Sequence, residues 1–489
     1  MKHSNFNLPK LLMHKTKLFF TLFFLITIQA FAQNLSNSPY GRYGLGDLSF
    51  SPFPHMSGMG MPAIAYADSH TVNLMNPASL TAQRFTVFEM GMMAAQTFYR
   101  TQNERTMGRT GGFGYFTLAF GVVPKKWSMA FGLRPLSLIG YELNTSNNLP
   151  DIGNVNYRYI GTGGFNVVHL SNGFKLAKNL YAGVNVNYNF GVNEYQRIVL
   201  LNDSVNGLNS RNNESNAIFD FNFDFGLRYE KHFKNTYKRV YDKVPVVPGD
   251  TLYPGRKVYQ YKEAQSDSFY VKIPKRVKRT DSLVVSAGFV FTPSMAANAS
   301  RTFLSDRFLG QPPNENVLDT IFYIERERGT IVLPQVFSGG IVIKKSSDKF
   351  TFAFNGSYYD WSRYRNFENK DSLKNNLRLN FGLQIIPNQY STKSFASRVR
   401  YRAGLTYSDG YLRLNGQNVN EYMISAGVGL PFRRLRFSAA TKMPISILNL
   451  GIQAGFRGDT KNNLFRENFL RFTIGVSMSD DWFNKRKYD

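Results

Sequence analysis

Three arginines stand at alternate positions in the run Arg398-Val399-Arg400-Tyr401-Arg402. On a strand, alternate side chains share a face, so these three guanidiniums would point the same way. Arg378 and Arg471 take the same face when alternation is counted along their own segments. The guanidinium fork suits carboxylates and phosphates. Two uses are open for such a set. It could be the counter-charge for an anionic amphiphile or for another segment of the chain. It could instead pair with acids of the same face, of which alternation identifies Asp220, Asp224 and Glu89. Like charges out of water need partners, so pairing is the expected use.

Catalytic chemistry finds little material. The chain has no cysteine, which removes disulfides, thiol nucleophiles and thiolate metal sites. Beyond the leader the histidines are His55, His70, His169 and His232. None stands in a nucleophile–base spacing, and no His/Glu pair has metal-ligand spacing. Gly44-Leu45-Gly46 and Gly58-Met59-Gly60 neither follow a strand nor open a helix, so they are not phosphate loops; they allow close backbone packing. No catalytic residue, metal site or cofactor is expected.

The arginines need elements to hold them, and those elements are strands. Ala182 to Gly191 alternates apolar residues with Gly or Asn. Ala217 to Tyr229 sets Phe219, Phe221, Phe223, Phe225 and Leu227 against Asp220, Asn222, Asp224, Gly226 and Arg228. Leu448 to Phe456 and Leu470 to Met478 repeat the pattern. A row of phenylalanines on one face needs an apolar medium. In an exported chain with many such segments that medium is lipid, and the fold is an all-β transmembrane antiparallel barrel with a polar lumen.

Export is read from the N-terminus. Lys2, Lys10, Lys15 and Lys17 precede the apolar stretch Leu18 to Ile28, and Ala30-Phe31-Ala32 fits a small-x-small cleavage site. Residues 1–32 are thus expected to be a signal peptide. The apolar stretch is short of the ~20 residues of a spanning helix. The formal charge of +26 falls to +22 without the four signal lysines. Nucleic acid is not expected as the partner of an exported chain with scattered basic residues. Anionic lipid and lipopolysaccharide headgroups at the outer surface are.

Fourteen strands are expected at about 84–100, 111–122, 126–143, 154–172, 179–201, 215–233, 281–294, 334–345, 349–366, 375–387, 395–409, 419–430, 446–457 and 467–479. An even count leaves both termini in the periplasm. Short turns such as Val123-Pro124-Lys125-Lys126 then fall inside, and 101–110, 144–153, 202–214 and 295–333 outside. The basic stretch 234–280 breaks the rule, because parity makes this long insertion periplasmic. Its Tyr and Val content suits an extra hairpin. Residues 33–83 show no sustained alternation and are rich in Gly, Pro, Ser and Met. A lumen of fourteen strands is wide, and this segment is the natural plug, or hatch. The barrel spans 84–479, and 480–489 is a basic tail.

Gly58-Met59-Gly60-Met61-Pro62-Ala63-Ile64-Ala65-Tyr66-Ala67-Asp68, followed by Asn76-Pro77-Ala78-Ser79-Leu80, resembles the hatch of the FadL/TodX family of outer-membrane transport proteins. Ser38 to Asp47 resembles the opening of members from the Bacteroidetes lineage. Leu333-Pro334, Asp360-Trp361-Ser362 and the tail Asp481 to Tyr488 resemble further family positions. The resemblance implies a hatch-plugged barrel, about 14 strands, for passive uptake of hydrophobic small molecules such as long-chain fatty acids or aromatic hydrocarbons. It gives Asn76, Pro77 and Ala78 as the hatch motif. It also implies a kinked third strand that opens a lateral path, for which Pro135 is the candidate: proline cannot donate to a ladder. Phe53, Met56, Met59 and Met61 are candidate pocket residues, since Met adapts to varied apolar shapes, and packing of the plug against the wall is the competing role. The insertion at 234–280 and the residues beyond the last strand depart from the family pattern. Some FadL-like barrels of that lineage dock partner proteins in type IX secretion, which leaves an accessory role, with a periplasmic or secretion partner, as the alternative. A monomer in the Gram-negative outer membrane is expected.

Overall fold

The computed structural model describes residues 36–480 apart from 49–52, 151, 202–206, 234–236, 247–257, 264–265, 279–281, 313, 346, 368–372, 390, 433–443 and 461–463. The expected signal peptide and all but the first residue of the expected tail lie outside the described residues.

Fourteen antiparallel strands close into a barrel. They are β1 (Thr86–Arg100), β2 (Arg105–Val123), β3 (Trp127–Leu149), β4 (Gly153–Ala177), β5 (Leu180–Leu201), β6 (Asn209–His232), β7 (Leu283–Thr292 with Met295–Leu309), β8 (Asn316–Leu333 with Gln335–Lys345), β9 (Phe350–Asp360), β10 (Asn376–Ile385), β11 (Arg400–Ser408), β12 (Glu421–Pro431), β13 (Ile447–Arg457) and β14 (Arg466–Asp480). Each pairs with its chain neighbours, and β1 closes on β14 from Thr86 opposite Asp480 to Arg100 opposite Arg466. Alternation sorts the faces as expected. Phe219, Phe221, Phe225 and Leu227 are all close to half exposed on the outer wall, while Asn185, Asn187 and Asn189 of the adjoining strand are buried inside.

The wall is uneven in height. β9 to β13 have 9 to 11 residues each, about what a tilted strand needs to cross lipid. β3 to β6 have 22 to 25. These long strands, with β7 and β8, rise beyond the bilayer on the side away from the termini. Residues 295–333 were expected as an outer connection, but they continue β7 and β8 outward. Pro293 and Pro334 interrupt both strands at one level, where Thr292 faces Val336 and Met295 faces Leu333. A proline without an N–H breaks a ladder locally, so the sequence pattern stops there although the strand does not.

On the other side, the insertion forms three strands rather than a hairpin. Tyr237–Val246 and Val258–Glu263 flank Ser266–Lys278 in a small antiparallel sheet of its own. It lies on the side of the termini, as parity required. Lys125, Lys126, Lys178 and Lys349 in turns, and Lys175 and Lys345 at strand ends, stand exposed on that same side. Basic residues stand at both ends of the barrel, since Arg363, Arg365, Lys374 and Arg413 lie in connections at the opposite end.

The hatch threads the lumen from the outer mouth to the periplasm. It has 3₁₀ turns at Pro39–Arg42 and Pro77–Ala82, a one-turn helix at Pro54–Ser57, and a two-residue strand, Asp47–Leu48, paired with Leu138 and Ser137 of β3. Its apolar residues, including Phe53, Met56, Met59, Val72 and Leu80, pack with Val87, Tyr115, Ala130, Val342 and Ala353 of the wall. Inward glycines let the two backbones touch. A Cβ on Gly427 would stand 2.8 Å from Gly58 Cα, and one on Gly404 would strike the Met59 carbonyl. No larger residue fits at either place without shifting backbone.

Candidate functional site

The hatch motif explains itself locally. Asn76 caps the 3₁₀ turn by accepting from the Ala78 amide at 3.0 Å, and its Nδ2 donates to the carbonyls of Ile64 (2.7 Å) and Leu227 (3.1 Å). Pro77 occupies the first turn, where no N–H is needed. Ala78 is fully buried against Gly183, where a larger side chain has no room. The motif therefore seats the hatch on β5 and β6.

The arginines hold the hatch as well. Arg400 pairs with Asp68, which also meets His70 Nδ1 at 3.4 Å. Burial by itself would raise the Asp68 carboxyl, but Arg400 and His70 hold it well below the usual carboxylate range. Arg402 donates to Gln384 (2.8 Å) and Asn449 (2.8 Å). Arg378 and Arg471 both approach Glu421, at 3.5 and 3.7 Å. Arg398 is not in a strand; it ends the 3₁₀ turn Ala396–Arg398 and lies over the Phe395 ring. The expected pairing with Asp220, Asp224 and Glu89 is thus corrected. Asp220 accepts from Asn298, Asp224 from Asn185, Asn187 and Thr292, and Glu89 from the Val72 amide, Tyr115 and Ser477. Alternation gives a side chain's face but not its height along the strand or which wall it meets.

Near the outer mouth a second clamp was not anticipated. Arg457 of β13 donates to Asp47 (2.7 Å), Glu467 (2.8 Å) and Ser38 (2.6 Å), and Tyr40 donates to the Phe465 carbonyl at 2.6 Å. Below it lies a cavity of about 90 Å³ between hatch and wall. Of the four pocket candidates only Met61 lines it; Phe53, Met56 and Met59 are fully buried in packing. Most of its wall is polar or charged, with Asp47, Arg378, Arg457, Glu467 and Arg471 among it, and Met93, Leu138 and Phe469 join Met61 as its apolar contacts.

That cavity reaches a seam. β2 and β3 pair only from Phe116 opposite Leu133 to Val123 opposite Trp127. Two residues beyond Leu133 comes Pro135, followed by a register shift between Pro135 and Ser137 on the β4 side. Outward of that point neither strand's facing edge pairs with the other. The hatch serves both instead: Asn37 Nδ2 donates to the Arg109 carbonyl of β2 at 3.0 Å, and Asp47–Leu48 pairs with β3. This segment thus bonds to both lips of the seam. Thr110 on one side of the seam and Leu138 on the other both line the cavity.

Two histidines sit inside. His169 of β4 lies 3.3 Å from Thr117 Oγ1 through Nε2. His55, in the hatch helix, has no hydrogen-bond partner on either ring nitrogen among the described residues, and burial, helped by Arg402, pushes its imidazole down to about 3. Among the described residues no group of three or more His, Cys, Asp or Glu could hold a metal ion.

No curated protein matches the sequence. Among solved structures, a FadL homologue from Pseudomonas aeruginosa superposes with a TM-score of 0.51 at 10% identity, covering 89% of this chain and 99% of that one. That likeness shows the fold, a closed β-barrel, over nearly the whole of both chains. The toluene transporters TbuX of Ralstonia pickettii (TM-score 0.48, 10% identity, 87% and 97% covered) and TodX of Pseudomonas putida (0.47, 12%, 90% and 100%) are more distant in shape. The family model described as BamG matches residues 13–253 and 260–489, nearly the whole length. With the hatch, the barrel and all of the insertion but 254–259 inside that match, the chain belongs to the BamG family.

Proposed function

We propose that this barrel is an outer-membrane channel for passive passage of hydrophobic small molecules, by way of the seam between β2 and β3. The observation that carries the reading is the cavity lined from both lips of that seam, by Thr110 and Leu138, in a barrel whose axial route is filled by the hatch. A ligand reaching the cavity would leave sideways past Pro135 into lipid when the hatch segment 36–48 yields. The cavity, about three waters in size, is too small for a long-chain fatty acid unless the hatch shifts, and its apolar contacts for a small hydrophobic molecule are Met61, Met93, Leu138 and Phe469. The barrel acts as a monomer, without cofactor or catalytic chemistry.

The test is a cysteine pair, Phe113→Cys with Leu136→Cys, placed where the β2–β3 register would continue. Oxidation should stop uptake of a radiolabelled hydrocarbon by whole cells, and reduction should restore it. Unchanged uptake through the cross-linked barrel would remove the lateral route.

A second reading is an accessory barrel that docks partner proteins, as in type IX secretion. It is favoured by the three-stranded periplasmic sheet, set in a segment (234–280) with twelve Lys or Arg and four Asp or Glu. Replacing that segment by a short turn separates the readings: lost partners with intact uptake would give the barrel both roles, and lost partners from a barrel that takes up no hydrocarbon would favour docking alone.

A further inference from the structure

At the end of the barrel away from the termini, three arginines stand side by side on β14, β1 and β2. Arg100 is directly opposite Arg466 on one flank and Arg105 on the other. Opposite residues share a face, and their Cβ atoms lie about 5 Å apart. Three guanidiniums thus spring from a row only about 10 Å wide. The face is the lipid-facing one: Phe98 and Met107 of the next row are about half exposed, while the alternate residues Thr97 and Tyr99 line the inner cavity. Arg109, opposite Gln96, adds a fourth exposed guanidinium to this face, nearer the membrane.

Like charges directly opposite one another destabilise a ladder, so the row calls for a counter-charge. Among the described residues none of the four arginines forms an ion pair. Arg466 donates to Asn468 at 3.2 Å and lies 4.1 Å over the Phe456 ring, contacts that leave its charge in place. The two connections beside the row hold two acids, Glu104 and Asp459, against the four arginines. Asp459 accepts from the Thr460 amide, and Glu467, next to Arg466, turns inward to Arg457.

Below the row a groove of about 460 Å³ opens on the outer wall, lined by Phe98 and Met107, with Arg100, Arg105 and Asn468 around it. Its height follows from β14. The outward residues Met478, Val476, Ile474, Phe472 and Leu470 are all apolar and span about 27 Å of strand. At the usual tilt that accounts for most of the ~25 Å apolar band of a barrel. Asn468 and Arg466 come next, so the arginines stand where hydrocarbon gives way to headgroups.

We propose that this row and groove bind a phosphorylated glycolipid of the outer leaflet, of the lipid A type, with a phosphate among Arg100, Arg105 and Arg466 and an acyl chain along Phe98 and Met107. Guanidinium forks match phosphate oxygens in pairs, which a point charge does not. The apolar groove recognises the chain that a free phosphate lacks. The proposal rests on the outer-membrane placement of the barrel and not on the channel reading.

The measurement is native mass spectrometry of the barrel, purified in detergent and mixed with equimolar diphosphorylated and dephosphorylated lipid A. The wild type should retain the diphosphorylated form on the order of tenfold over the other. Arg100→Gln with Arg105→Gln and Arg466→Gln should bring the ratio close to one. The same loss of three charges at the exposed Arg326, Arg328 and Arg413 should leave it as in the wild type. Excess inorganic phosphate should not release the lipid. Heat-modifiable migration on gels reports that each variant is folded. Equal retention of the two forms by the wild type, equal effects of the two triple variants, or release by inorganic phosphate would each overturn the proposal.

Discussion

Arg400 of β11 pairs with Asp68 of the hatch, two residues separated by 332 positions in the chain and joined across the lumen. Arg400 is buried and Asp68 only slightly exposed. Removing one member of a buried pair strands the other, at a cost of about 3–5 kcal/mol. Arg400→Met should therefore loosen the hatch and raise single-channel conductance in planar bilayers. Adding Asp68→Asn to the same protein should lower it again, because no charge is then left unpaired. Equal conductance in all three proteins would show that the pair does not hold the plug.

Hatch and wall meet through glycine, and this makes a steric prediction. Gly427→Val should displace the hatch backbone at Gly58 and reduce the correctly assembled fraction, with a penalty on the order of 1–3 kcal/mol. Gly339→Ala, on the open outer wall, should be neutral. Protease protection of the hatch in isolated membranes distinguishes the two.

Deleting residues 34–78 removes the plug along with its clamps at Arg400 and Arg457. The barrel should then admit hydrophilic solutes, read as sensitivity to large antibiotics or as stepwise current. An unchanged conductance would mean that the wall itself closes the lumen.

His55 predicts how the plug responds to acid. Its folded value, about 3, lies below the ordinary 6.5, so between these pH values the unfolded hatch binds a proton that the seated hatch does not. Hatch stability should accordingly be full above pH 6.5 and fall as pH drops towards 3, by up to about 1.4 kcal/mol per unit. Asp68 adds a further loss below the usual carboxylate range as it protonates. Hydrogen exchange of the hatch amides against pH should show the decline, and His55→Phe should flatten the portion above pH 4.

The strands were legible because their pattern is local. Alternation around Phe219 to Leu227 or Leu470 to Met478 states which residues face lipid, and fourteen such segments state a barrel. The pattern fell silent at Pro293 and Pro334, where a missing N–H breaks the rhythm of strands that in fact continue. Periodicity also has no reach across the lumen. It put Arg378, Arg400 and Arg402 indoors but could not pair Arg400 with Asp68 or bring Arg378 and Arg471 to Glu421, since those contacts depend on how far each strand is staggered around the closed wall. Arg457 escaped notice because its partners, Asp47 and Glu467, belong to the hatch and the last strand. The chain by itself determined a cysteine-free barrel of alternating strands with a filled lumen. Closure alone decided where the hatch touches the wall and how the seam beyond Pro135 is bonded on both lips by Asn37, Asp47 and Leu48, because each of these joins residues that only the tertiary fold makes neighbours.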